Sequence, residues 1–299
     1  MSVRLWGVAL LLVATTVGCS ASSSDSPPQR QREGGPKYSG PVPLPGEEAR
    51  KITVPFDAYN ISPAEGMRID TAEDSLVGEC MRHRGMKWKA VPLPPERDIE
   101  PTNRRRYGVV EPDAARIFGF HDPENRPSVT RRSEKADARE KQLSPKEQRA
   151  AYGDKSKSGP GGCLKKARNQ VMKGAPKINI PLFNTRIKQT FDASQRDPKV
   201  KRAFRSWSTC MKNAGFRYKD PLAAVTDKRW ETAKPSHNEI RTAKADVRCK
   251  KKTNLATIWM ATEKHIQTNA IRKHPKDFQA LKKTKQVQLK AAHRILTSS

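Results

Sequence analysis

The sequence predicts an all-α protein: two disulfide-stapled helical units behind a disordered N-terminal tether. Three observations carry that expectation. Alternating apolar and polar residues, the mark of a half-buried strand, are nearly absent. Val200, Phe204, Trp207, Met211 and Ala214 recur at spacings of 4, 3, 4 and 3, the stripe of a core-facing helix. Proline or Ser-Pro openings and glycine endings bracket most of the other apolar patterns.

Residues 1–18 read as an export signal. Arg4 precedes the apolar run Val8–Ala14, and the small residues Val17 and Gly18 lead into Cys19. A cysteine at that point reads as a bacterial lipobox, with Thr16 where leucine is favoured, so the mature chain is expected to begin at a Cys19 acylated with lipid such as palmitate. Two alternatives are cleavage after Ala21, which gives free secretion, and an uncleaved span. The roughly 14 residues from Leu5 to Gly18 fall short of the ~20 a span needs.

Residues 19–55 read as the tether. Prolines at 27, 28, 36, 41, 43, 45 and 55 oppose both helix and central strand, because each fixes φ and removes a donor. The first unit is placed at 56–175. Ser62-Pro63-Ala64-Glu65 opens a helix that runs through Ala72, Leu76, Cys80 and Met81 to Gly85. From 92 to 162 the chain is polar and proline-punctuated. It reads as a long irregular excursion with a short helix at 112–118. Gly159-Pro160-Gly161-Gly162 then opens a helix carrying Cys163, Leu164, Ala167 and Val171. The second, basic unit is placed at 176–299. It holds the Val200–Ala214 stripe, one long pattern from Asn238 to His274 behind Pro235-Ser236, and a final helix from Pro275 towards Leu296.

With Cys19 assigned to the lipid, Cys80, Cys163, Cys210 and Cys249 remain. An even number in an exported chain implies two disulfides with three possible connectivities, against the alternative of four buried thiols. A repeat gives the economical choice among them, read as a duplication against the alternative of convergence on a helix end. Residues 80–88 and 210–218 both read Cys-Met-x3-Gly-apolar-basic-aromatic, and each is followed by one further cysteine. One helix–disulfide–helix unit used twice pairs Cys80 with Cys163 and Cys210 with Cys249.

On those two segments, on Arg106-Tyr107-Gly108-Val109 with Phe118-Gly119-Phe120-His121, and on Ala243–Lys250, the chain resembles uncharacterised secreted lipoproteins of actinobacteria, over roughly residues 55–270. The resemblance implies an envelope location, the same disulfide pairing and an accessory role beside wall-binding and export components. It carries no catalytic residues.

Charge is the second large signal. The chain holds 59 Lys+Arg against 31 Asp+Glu, a net +28. Residues 1–132 contribute 19 against 17, residues 133–227 contribute 22 against 9, and residues 228–299 contribute 18 against 5. Such a field attracts polyanions and repels itself. Outside the cytoplasm nucleic acid is not the expected partner; acidic phospholipid and phosphate-bearing wall polymer are.

The expected contacts are Lys87 and Trp88, Arg217 and Tyr218, and the run Lys250, Lys251, Lys252, where ring faces stack on sugars and cations hold phosphate. The competing reading packs each aromatic over its own disulfide. Cys80-x2-His83 lacks a second ligand pair for a metal, and Gly159–Gly162 before Lys165-Lys166 lacks the spacing of a phosphate loop. No cofactor, metal or catalytic constellation is expected. The function expected is a lipid-anchored, non-catalytic envelope interaction module with a basic face. Alternatives are an accessory subunit of an envelope transport or wall-processing complex that meets an acidic protein, and a hydrolase with an unrecognised site.

Overall fold

The computed structural model describes residues 40–154 and 161–298. Residues 1–39, with the expected leader and Cys19, lie outside that range. The described residues belong to one unit, Gly34–Ser299, and they are helical with no strand. The helices are α1 Glu47–Arg50, α2 Pro63–Arg82, α3 Pro112–Phe118, α4 Pro127–Gln142, α5 Pro145–Tyr152, α6 Gly162–Val171, α7 Ile180–Arg196, α8 Pro198–Asn213, α9 Pro221–Val225, α10 His237–Lys252, α11 Leu255–Lys273 and α12 Pro275–Thr297.

Local chemistry sets these boundaries. Ser62 and Ser144 each accept from the backbone three residues on while Glu65 and Glu147 reach back, so α2 and α5 start on reciprocal caps. Asp197 and Ser236 cap α8 and α10. Proline occupies the first turn of most of the others, where its missing donor costs nothing.

Two helix pairs carry the disulfides. Cys80 of α2 bonds Cys163 of α6, and Cys210 of α8 bonds Cys249 of α10, each with Cα atoms 5.7 Å apart. The pairing expected from the repeat is the one formed. The loops closed span 83 and 39 residues, and the chain-entropy account gives roughly 4 kcal/mol for each. Around the first pair, Ala72, Val77, Met81, Val171 and Ala292 form one core; around the second, Trp207, Met211, Trp230 and Leu255 form another. The boundary expected at residue 175 is not a packing boundary. α12 lies along α2 and α6, so the last helix completes the core of the first pair.

Three expectations about irregular chain are corrected. The tether does not extend to residue 55: α1 forms within it, and Ala49, Ile52 and Val54 are buried. Its prolines bar a long helix but leave carbonyls to dock, and Arg126 donates to Pro43 O at 2.8 Å while Gly46 N donates to Glu111 at 2.7 Å. The excursion expected from 92 onward is structured over its described residues 92–154. It contains α4 and α5, and its residues Asn103, Arg104 and Tyr107 are buried. Arg104 bridges Glu100 and Glu111, both at 2.6 Å. The pattern from 238 to 274 is two helices, because Asn254 takes φ +55° between them.

The segments on either side of α3 are held to α10 and α11 by buried carboxylates. Glu263, fully buried on α11, accepts from Arg106, from Tyr107 Oη at 2.9 Å and from Gln267 at 2.9 Å. Gln267 in turn accepts from Phe56 N at 2.9 Å. On α10, Asp246 accepts from Trp207 Nε1 at 3.0 Å and Lys250 Nζ at 2.7 Å, and Lys250 reaches Val109 O at 3.0 Å. Glu239 accepts from Phe120 N at 2.7 Å. The close approaches need glycine. A Cβ on Gly108 would stand 2.7 Å from Lys250 Nζ, and one on Gly119 would stand 2.6 Å from Glu239 Oε1, both at positive φ.

Removing Glu263 strands three donors at once. Glu263→Ala is therefore expected to destabilise the oxidised protein by about 3–5 kcal/mol in denaturant titration. Glu263→Gln, which keeps the volume and an acceptor, should cost less; equal losses would show that the stabilisation depends on the negative charge that meets Arg106.

Candidate functional site

The two faces of α10 divide by charge. Glu239, Thr242, Ala243, Asp246, Cys249 and Lys250 point into the protein and are buried. That orientation is imposed by the bond from Cys249 to Cys210 and by the donors its acids meet. The outward face from residue 241 to 252 is then Arg241, Lys244, Arg248, Lys251 and Lys252, all exposed. None of these five is ion-paired to a described carboxylate. At 1.5 Å per residue the row is about 16 Å long.

α12 repeats the arrangement over a longer helix. Lys276, Lys282, Lys283, Lys290 and Arg294 are exposed, with Gln279 and Gln286 between them. Its single acid, Asp277, is held by Arg186 at 2.8 Å. α8 presents Lys201, Arg202, Arg205 and Lys212. Of the five acids in residues 228–299, Glu239, Asp246 and Glu263 are fully buried, whereas Lys250 is the one buried cation among eighteen. The surface is accordingly more basic than the composition of that stretch.

The residues expected from sequence fall into three groups. Lys87, Arg217, Lys251 and Lys252 are exposed and available to an anion. Lys250 is not: it is 3% exposed and committed to Asp246 and Val109. Burial pushes its ammonium down and pushes the Asp246 carboxyl up, against their mutual attraction.

The two aromatics are engaged within the fold. Trp88 donates to Asp74 at 3.2 Å, and the Arg139 guanidinium lies 4.0 Å over its ring while pairing with Asp74 at 2.8 Å. Tyr218 donates to Asp227 at 2.8 Å and accepts from Arg229 at 2.7 Å. Burial, and then the Asp227 carboxylate, push the phenol up to about 12. Trp88 belongs to the core of the first disulfide pair and Tyr218 to that of the second, so the two basic-aromatic segments do not form one site.

Cys80 is spent in its disulfide, and no cluster of three or more metal-ligating side chains occurs among the described residues. Gly161 N donates to Tyr152 O at 2.8 Å, so the glycine turn closes onto α5. Sequence reasoning missed Arg241, Lys244 and Arg248. Their signal was the spacing 3, 4, 3 from 241 to 251, complementary to the inward-facing residues. Compared with known proteins, the chain matches no protein family, no curated protein and no solved structure.

One ionisable contact ties the inner face of α10 to solvent conditions. His121 Nδ1 lies 2.7 Å from Glu239 Oε1 and Nε2 lies 2.7 Å from Thr232 O. An acceptor on each side calls for a proton on each nitrogen. Burial opposes that charge, but the hydrogen bonds to Thr232 and Glu239 outweigh it and hold the imidazole above its ordinary value of 6.5. A raised folded pKa means that stability is fully present below 6.5 and is lost as pH rises through the raised value. Thermal unfolding should thus show a melting temperature that declines as pH climbs past 6.5. His121→Gln should flatten that decline, and an identical decline in the variant would remove His121 as its source.

Proposed function

We propose that the protein is a lipid-anchored, non-catalytic module of the cell envelope whose basic helix faces hold phosphate-bearing anionic surfaces. The supporting observation is the outward row of α10: five cations within twelve residues and no carboxylate among them. Two disulfides fit an oxidising compartment outside the cytoplasm. No helix of the described residues is long and apolar enough to cross a membrane. In this reading attachment comes from acylated Cys19, as the resemblance to secreted actinobacterial lipoproteins implies. A single acyl chain binds membranes marginally, and a basic patch is the second signal that makes attachment stable.

Each Lys or Arg near an anionic leaflet contributes about 1 kcal/mol at close approach. Reversing three charges in Arg241→Glu/Lys244→Glu/Arg248→Glu is therefore expected to weaken binding of the unacylated chain to phosphatidylglycerol vesicles by at least a hundredfold at low salt. Binding of the parent to vesicles or to phosphate-bearing wall polymer should fall steeply with added salt. Cys19→Ala should release the protein from cells into the medium. Salt-independent binding, or stoichiometric recovery of an acidic envelope protein with no affinity for either surface, would overturn the proposal.

A further inference from the structure

Five large apolar side chains are exposed among the described residues, and three of them fall in one eleven-residue stretch, 172–182, that runs from the end of α6 into the first turn of α7. Met172 is 36%, Ile180 45% and Leu182 39% exposed. These are not the loose ends of an unpacked segment. Ile178 and Phe183, on either side of Ile180 and Leu182, turn inward onto the cluster of Phe56, Phe278 and Leu281. Asn179 caps α7 by accepting from Leu182 N at 2.9 Å, and Thr284 of α12 donates to Pro176 O. The loop is fixed to the body of the protein with its apolar side chains directed outward.

The charge around this tip is of one sign. From Lys155 to Phe191 the sequence contains no Asp or Glu. Lys173 and Lys177 are exposed within the loop itself. Lys177 and Leu182 share a cavity of about 310 Å³ with Ala280 and Leu281 of α12. Lys276 and Lys283, four before and three after Ala280, lie on the same side of that helix and are exposed. The carboxylate lining the cavity, Asp277, is already held by Arg186. Exposed aliphatic side chains ringed by unpaired cations complement the boundary of an anionic bilayer, where phosphates lie above hydrocarbon. A wall polymer offers the phosphates without the hydrocarbon.

We infer that the 172–182 segment, the connection after α6 with the first turn of α7, is a membrane-insertion tip: Met172, Ile180 and Leu182 enter the acyl boundary of an anionic phospholipid leaflet while Lys173, Lys177, Lys276 and Lys283 hold its head groups. The inference rests on the anionic-surface reading and assigns it one surface, a lipid one. The test uses the unacylated full chain with vesicles of phosphatidylglycerol and phosphatidylcholine, and with soluble inorganic polyphosphate. Ile180→Ser/Leu182→Ser, which removes the apolar groups without changing charge, should lower affinity for the anionic vesicles at least tenfold and leave polyphosphate binding unchanged.

A second variant, Ile180→Trp, reads insertion directly. Its emission, taken as the difference from the parent, should shift to the blue on anionic vesicles, be quenched by brominated acyl chains, and stay unshifted on polyphosphate. Unchanged vesicle affinity of the double variant, or an unshifted tryptophan, overturns the insertion tip while leaving the basic-face reading intact. Failure of the parent to bind both vesicles and polyphosphate overturns the basic-face reading itself.

Discussion

Three carboxylates on consecutive helices, Glu239 and Asp246 on α10 and Glu263 on α11, are fully buried and meet donors from residues 106–121 or from their own helix. The remaining architecture depends on that arrangement. The chain on either side of α3 docks both by burying Tyr107, Val109 and Phe120 and by polar contacts: Arg106 and Tyr107 on Glu263, Phe120 and His121 on Glu239, Val109 on Lys250. Ion pairs of this kind are costly to desolvate and give little net stability over an apolar substitute, but losing one partner leaves an uncompensated charge. Their effect is on uniqueness of fit. Burial and the Glu263 carboxylate push the Tyr107 phenol far above its ordinary range, which keeps it a donor at any accessible pH.

The same carboxylates shape the outside of the molecule. An acid turned inward is subtracted from the surface together with the single cation it binds. Glu263 takes Arg106 from the nearly neutral first part of the chain, and Asp246 takes Lys250. What remains on α10 and α12 is a set of cations with Asp277 alone among exposed acids of the two helices, and Asp277 is itself paired. One sorting of charge, acids in and cations out, therefore yields both the docking of residues 106–121 and the basic face.

Much of the fold was legible in the sequence, because caps and apolar stripes are local signals. The helices at 63–82, 112–118, 162–171, 198–213 and 275–297 stand where their prolines, serines and apolar spacings place them. The disulfide pairing was legible through the repeated Cys-Met-x3-Gly segment. Residues 40–55 and 92–110 were not, since ion pairs and side-chain bonds to proline-bracketed carbonyls hold them, and hydrophobic periodicity does not register these. The site was half legible. Glu239, Ala243, Asp246 and Lys250 recur at 4, 3 and 4, the same rhythm as Val200, Phe204, Trp207 and Met211. Reading only apolar residues hid it. Lys250 was thereby grouped with Lys251 and Lys252, although helical geometry turns it inward with Asp246 while its two neighbours stay in solvent.

The disulfides and the basic face belong to one balance. Crowded cations on α8, α10 and α12 repel one another and destabilise the compact state unless something offsets them. The two cross-links do so from within the chain, each closing a long loop beside exposed cations: Lys212 two residues from Cys210, Arg248 next to Cys249, Lys165 and Lys166 within one turn of Cys163. An anionic surface of the kind proposed would do so from outside, since whatever binds the folded state and not the unfolded one stabilises it by mass action. A protein stapled in this way keeps its cations arrayed before any anion arrives, so binding does not have to pay for ordering the face. That is the physical case for disulfides at helix ends beside exposed cations, with Cys163 and Cys249 themselves buried in the two apolar cores.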